Sequence, residues 1–197
     1  MIAKNDSLSK IFLMQYTTRF NNMPFKDRQN LAEHSFGVAA LAILIGNEIA
    51  QGMARTKVMY SLDRLNLLQC ALFHDFEETV TTDFPLPLKL RLGREIMSTV
   101  DSVAKDMTFS AFKEIGLDFH TKYNEWKEDM SPEFQIIKIC DYLELLFWTH
   151  CNKSKFPGGS YRAVVNNCKS LIQKFPLHIL SSTVSEMLIV EEFEFNF

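Results

Sequence analysis

The chain has 197 residues, of which 47% are hydrophobic and seventeen are Phe, while Gly and Pro number only seven and six. This composition excludes intrinsic disorder, and the length predicts one well-buried domain over residues 1–197 rather than two. A formal net charge of −3 excludes a general attraction for nucleic acid or an anionic membrane, although a local basic cluster can still hold a small phosphate.

The amino terminus, MIAKNDSLSKIFLMQYTT, has neither a long apolar core nor a small-residue cleavage site. No run of the sequence approaches the ~20 apolar residues that span a bilayer. A cytoplasmic location is therefore expected, the host's if the chain is viral, with no membrane and no nucleic acid among its partners. Cys70, Cys140, Cys151 and Cys168 show no CxxC spacing, so they are expected as reduced thiols rather than as a zinc ribbon or a redox pair.

Taken in order, Asp6 or Ser7 caps a first helix carrying Leu8, Ile11, Phe12 and Gln15 and ending near Thr18. Arg19 to Asn30 (RFNNMPFKDRQN) is polar, with a Pro and an Asn pair, and reads as a loop presenting Arg19, Lys26 and Arg28. Asn30 caps a second helix, on which Leu31, His34, Val38, Leu41, Ile45 and Ile49 recur at intervals of three and four. His34 therefore lies on its inward stripe, and Gly52 is expected to close it. Asp63 starts a helix through Leu65, Leu68, Leu72 and Phe73 to His74. In FPLPLK the two prolines predict a stiff extended loop that delivers Lys89 and Arg91.

Gly93 to Ile115 is amphipathic through Ile96, Val100, Val103, Met107, Phe112 and Ile115, with Gly116 as terminator, and a shorter helix follows over Asp118 to Asp129. Ser131-Pro132-Glu133 is a helix start. The helix behind it, EFQIIKICDYLELLFWTHC, is apolar over most of its circumference and therefore central, with Asp141 at its middle. KSKFPGGS is a loop, and helices over about Tyr161 to Phe175 and Leu177 to Val190 complete the chain. No alternating strand pattern, repeat or linker is present, so the fold class is all-α.

The chemistry gathers in Leu72 to Lys89, LFHDFEETVTTDFPLPLK. An Asp directly after a His at the inner end of an apolar helix is costly to bury unless it is paired or binds a cation. Read singly, a core His is most often a packing residue and a mid-helix Asp most often faces water. Together, His34, His74, Asp75 and Asp141 put two imidazoles and two carboxylates on inner positions of separate helices. That is a standard way to build a metal site inside a bundle, and the N/O set suits Mn, Fe, Co, Ni or Zn. Four protein ligands leave open positions for water and substrate.

The pattern H…HD…D in an all-α chain resembles the HD-domain phosphohydrolases, and within them the bacterial 5'-deoxynucleotidases and the phage dATP triphosphohydrolases. The resemblance runs from Arg19 to about Leu146. It is carried by RF at 19 and 20, AEHSFGVA at 32 to 39, LFHDFEETVTTDFPLPLK at 72 to 89 and IIKICDYLELL at 136 to 146. It implies an HD-domain helical bundle with a metal site in its core, where His34, His74, Asp75 and Asp141 bind one divalent transition metal (Co, Mn, Zn, Fe or Ni). It further implies that Arg19 contacts phosphate, that Glu78 is a general acid or orients the attacking water, and that Asp83 orders water, phosphate or sugar. Lys89 stands at a phosphate-binding lysine. Phe20 takes a place near sugar and base where Trp is frequent in the group, which puts sugar or base selectivity in question. The guanosine tetraphosphate hydrolases carry a Glu-Asp pair after HD; Glu77-Glu78 is similar but displaced by one, so that branch ranks lower. Glu77 itself is expected at the surface, and His120, His150 and His178 have no supporting pattern.

A 5'-deoxynucleotidase and a triphosphohydrolase both break a bond at the α-phosphorus, so the motif does not separate dNMP from dNTP. Lys26, Arg28, Lys89, Arg91 and Arg94 offer more positive charge than a monophosphate requires, and the reading leans to a dNTP, with dATP favoured by resemblance and an additional Mg accompanying the triphosphate. A non-catalytic nucleotide-binding module is the alternative of another class; retention of all four ligands, Arg19 and Glu78 argues against it. The resemblance also implies a homo-oligomer, a dimer or higher, with MLIVEEFEFNF as apolar packing surface.

Overall fold

The computed structural model describes residues 9–21, 23–56, 60–82, 84, 86–113 and 116–189. Its elements are α1 (residues 9–13), α2 (Leu31–Arg55), α3 (Arg64–Phe73), α4 (Glu78–Thr81), α5 (Leu86–Lys113), α6 (Phe119–Glu128), α7 (Pro132–Cys151), α8 (Ser160–Ile172) and α9 (Ser182–Met187). Short 3-10 turns lie at Lys153–Lys155 and Pro176–Leu180. Among the described residues the only extended pairing is an isolated bridge between Thr18 and Asn30, so the expected all-α class holds. The chain parts into two compact units, one of Met1–Ser35 with Phe73–Thr121, the other of Phe36–Leu72 with Lys122–Phe197.

The first unit is organised by aromatic side chains. Phe76, fully buried, meets Phe73 at 5.4 Å, Phe112 at 5.2 Å and Phe109 at 5.7 Å between ring centroids, and Phe119 stacks on Phe73 at 4.8 Å. This cluster, with Ala104 and Thr108, decides which side of α5 faces inward. Ile96, Val103 and Met107, read as the apolar stripe of that helix, are instead about half exposed. Rings this large bury more apolar area per residue than the aliphatic stripe, and the helix rotates to follow them. The start of α2 follows its local code: Asn30 Oδ1 accepts from the Glu33 N–H at 2.9 Å, and Glu33 Oε2 accepts from the Asn30 N–H at 3.1 Å, a reciprocal capping box.

The FPLPLK stretch departs from expectation. It is helical from Leu86 onward, with Pro87 in the first turn, where a missing N–H costs nothing because no intrahelical acceptor exists for it. The break falls at Gly93 instead, at φ 79° and ψ 167°, a conformation open in practice only to glycine. Lys89 and Arg91 are thus carried on a helix rather than on an extended loop.

In the second unit α7 is central, as its all-round apolarity predicts: Ile136, Ile137, Ile139, Cys140, Leu143 and Leu146 are at most 1% exposed. Ser131 caps it, accepting from the Phe134 N–H at 3.2 Å, and Pro132 occupies the first turn. Val165, Cys168 and Ile172 form the buried face of α8. Helix α2 does not stop at Gly52 but runs to Arg55. Gly52 serves a close approach, since a Cβ there would stand 3.0 Å from Leu180 Cβ and 3.1 Å from the Leu180 carbonyl oxygen. The segment expected as one last helix is divided between the turn at Pro176–Leu180 and α9. By length and composition α2 is long and apolar enough to cross a membrane, which corrects the expectation that no run comes near that limit. In the fold it buries Leu31, His34, Val38, Ala42, Ile45 and Ile49, the spacing of a core helix.

Candidate metal centre

His34 enters the site from the first turn of α2, anchored by the capping box below it, and is completely buried. His74 and Asp75 follow the end of another helix: α3 ends at Phe73, and the next residues fold into successive tight turns, Phe76 N–H to Phe73 O at 3.1 Å and Glu78 N–H to Asp75 O at 3.0 Å. Phe76, seated in the aromatic cluster, fixes these turns and with them the two residues before it. His34 Nε2 lies 3.8 Å and His74 Nε2 3.3 Å from Asp75 Oδ2, and the two rings stand 5.3 Å apart at 55°. One donor atom from each of the three residues falls within 4.8 Å of the others. Both imidazoles have no exposed side-chain surface, and Asp75 keeps 26% of its own. Two ring nitrogens and a carboxylate oxygen converging this closely match the donor chemistry of a divalent transition metal.

Asp141, on α7 of the second unit, is 7% exposed, and its Oδ2 accepts from the Lys138 ammonium one turn earlier. It is a buried mid-helix carboxylate, not a solvated one.

The acidic residues that follow His74-Asp75 divide in an unexpected way. Glu77 is half-buried rather than solvated: its Oε2 is buried without a hydrogen-bond partner among the described residues. Burial, with the charge of Asp75 adding to it, pushes its carboxyl up to about 7 against the pull of Lys105 and His74. Glu78 opens α4, and because α3 has already ended, its approach to His74 depends on the turn geometry rather than on a continuous helical face. Its Oε2 is buried as well. The turn closes on Thr82, whose φ of 60° and ψ of 173° are strained for a residue with a side chain. Asp83 lies outside the described residues.

Arg19 and Phe20 sit in the same unit as His34, His74 and Asp75. The Arg19 N–H donates to Gln29 O at 2.8 Å, which ties the loop back to the start of α2, and its Nη1 is buried. Phe20 adopts a left-handed φ of 58°, and its ring meets Phe25 edge-on at 5.8 Å. Of the other cations named from the sequence, Lys26, Arg28 and Arg91 are exposed, and Arg28 Nη2 donates to Met23 O at 3.3 Å.

A family model described as 5'-deoxynucleotidase YfbR-like matches residues 8–180. The chain belongs to this family. A curated dATP triphosphohydrolase of Salmonella phage PMBT28 is 28% identical over 138 residues, 68% of this chain and 61% of that protein, so the chain spans about three fifths of that relative's length. Two solved structures share the fold. An HD-domain phosphohydrolase from Listeria innocua superposes with a TM-score of 0.67 at 18% identity, covering 94% of this chain and 89% of its own. The cyanophage S-2L HD phosphohydrolase, bound to dA and one catalytic Zn2+ ion, gives 0.63 at 17% identity, covering 93% and 92%. The likeness to these structures shows that the YfbR-like chain has the HD-domain helical fold.

Two features of the YfbR-like chain escaped sequence reading. The burial of Glu77 has no sequence signal, because an EE pair after HD reads as solvated acid. The pairing of Lys138 with Asp141 has one, the i,i+3 spacing of opposite charges on a helix. The three histidines without a pattern all have packing or hydrogen-bonding neighbours: His120 stacks on Phe109 at 4.5 Å, His150 Nδ1 lies 3.0 Å from the Tyr161 hydroxyl, and His178 Nδ1 lies 2.7 Å from Phe175 O.

Proposed function

We propose that this protein hydrolyses deoxynucleotides at the α-phosphorus, with His34, His74, Asp75 and Asp141 as the ligands of one divalent transition metal. The observation that carries the reading is the convergence of the His34 and His74 ring nitrogens on Asp75 Oδ2 in a buried site. When bound, the metal would lower the pKa of a water and supply hydroxide near neutral pH. Arg19 then holds two phosphate oxygens through its forked guanidinium, and Lys89 neutralises another as a point charge. Glu78 passes a proton to or from the reacting water, Asp83 orders that water or the sugar, and Phe20 stacks near sugar and base.

Substrate choice separates two readings. Likeness to the phage dATP triphosphohydrolase and the surplus of cations near the motif favour a dNTP, foremost dATP, releasing deoxynucleoside and triphosphate, with an additional Mg on the phosphates. The family description favours a 5'-deoxynucleotidase that releases phosphate from a dNMP. We take the triphosphate reading. The proposal extends to a cytoplasmic small-molecule enzyme acting as a homo-oligomer of at least two copies.

The test is ion-exchange product analysis after incubating metal-loaded protein with each of the four dNTPs and dNMPs, with Asp75→Ala as control. Triphosphate plus deoxynucleoside supports the triphosphohydrolase, and the fastest substrate names the base. Phosphate from monophosphates alone establishes the second reading. Turnover by Asp75→Ala at the wild-type rate refutes both.

A further inference from the structure

Asp141 is nearly fully buried on an apolar helix, and its charge is answered from within that helix by Lys138, whose ammonium donates to Oδ2. Lys138 is not a surface lysine that swings into place. Its side chain is four-fifths buried, 20% exposed, and the ammonium lies 5.2 Å from the centroid of the Tyr142 ring, within cation–π range. That ring is itself backed by Phe175, stacked at 6.5 Å with 27° between planes. Phe175, Tyr142, Lys138 and Asp141 thus form a bracket in which each member limits the next.

An Asp side chain has a broad, roughly two-fold torsion at its carboxylate, so an unrestrained Asp141 would present its oxygens over a range of directions. An ammonium gripped by a ring on one side and bonded to Oδ2 on the other removes that freedom. We propose that Lys138 is a positioning residue for metal capture: by fixing Oδ2 of Asp141 it preorganises the carboxylate as a ligand, with Tyr142 and Phe175 as its brace. The inference rests on the reading of Asp141 as a ligand. The opposite role, an ammonium that competes with the cation for the carboxylate, would require Lys138 to leave on metal binding, and the Tyr142 ring opposes that departure.

The experiment measures divalent metal affinity (Co2+ and Mn2+) of the full chain by competition with a chromophoric chelator, for the wild type, Lys138→Met, Lys138→Gln, Lys138→Arg, Tyr142→Leu and Asp75→Ala. Removing an outer partner of a metal ligand costs about 10- to 100-fold in affinity. Lys138→Met and Lys138→Gln are expected to weaken binding by that factor, Lys138→Arg to recover most of it, and Tyr142→Leu to fall between. With metal removed, Lys138→Met and Lys138→Gln leave the buried Asp141 charge unanswered and should melt below the wild type; the discriminating readout is the visible spectrum of bound Co2+, which should change in Lys138→Met and which a merely structural lysine would leave unaltered. Binding by Lys138→Met as tight as wild type, or tighter, while Asp75→Ala loses it, overturns the inference alone. Failure of the wild type to bind, or undiminished binding by Asp75→Ala, overturns the ligand reading and this inference with it.

Discussion

Glu48 ties α2 to the start of α9. Its Oε2 accepts from the Ser181 hydroxyl and from the Thr183 N–H at 3.2 Å, and its Oε1 accepts from the Thr183 hydroxyl at 2.6 Å. The same Ser181 hydroxyl accepts from the Val184 N–H at 3.2 Å as the cap of α9. Glu48→Ala removes the acceptor for three donors. A hydrogen bond to a charged group nets about 1.5–3 kcal/mol when well shielded, but this carboxylate is half-exposed and water takes over much of its role, so the whole clamp is assigned about 2 kcal/mol. For a chain of 150–250 residues ~1 kcal/mol moves Tm by about 2–4 °C, so Glu48→Ala should melt about 4–8 °C below wild type at pH 7. The hydrogen bond from Ser181, followed by that from Thr183, holds the Glu48 carboxyl below its ordinary value of 4.5. A carboxyl depressed on folding contributes stability above its unfolded pKa and loses it as pH falls through the folded one. The gap between wild type and variant should therefore be full at pH 7 and shrink as the pH falls below the ordinary value of 4.5. Thermal unfolding followed by circular dichroism at pH 7, 5 and 3.5 reads it. Equal melting at pH 7, or a gap unchanged at pH 3.5, would refute the clamp.

Three further outcomes are expected. Thr82→Gly should raise Tm by about 2–4 °C, because relief of about 1–3 kcal/mol of strain at φ 60° and ψ 173° exceeds the ~0.5–1 kcal/mol glycine loses through chain entropy; calorimetry showing a lower Tm would count against strain there. Phe76→Ala should cost about 3–5 kcal/mol in urea unfolding, since the ring is fully buried among Phe73, Phe109 and Phe112, and should weaken metal binding by loosening the turn at His74-Asp75. Stability without a change in metal affinity would separate the two effects and sink the second. Metal at about a hundredfold excess over its Kd should stabilise the protein by ~2.7 kcal/mol, lost on chelation and absent in Asp75→Ala; a chelator-insensitive melting curve in the wild type would contradict the ligand assignment.

How much of the molecule was legible in its sequence depended on the range of the forces involved. Asn30 with Glu33, and Ser131 with Pro132, set helix starts through contacts three residues apart, so the caps of α2 and α7 could be read directly. The apolar circumference of α7 announced the central helix in the same way. His34, His74, Asp75 and Asp141 were recognisable as a set because each sits at a definite place in a periodic or motif-bearing stretch.

Local capping, helical period and residue chemistry carried the all-α class, most helix starts and the identity of the candidate ligands, so these could be read from the amino-acid order alone. Tertiary structure decided the rest. Pro87 was accommodated once a helix began one residue before it, Gly52 was needed for Leu180 to approach, and α5 turned its Phe109 and Phe112 inward at the expense of Ile96 and Val103. It also decided that the Glu77 carboxyl oxygen Oε2 is buried and that His34 meets Asp75 from forty-one positions away in the chain. Those outcomes follow from packing between segments distant in sequence, where shape and burial outweigh local preference, and no window of neighbouring residues contains the partner that settles them.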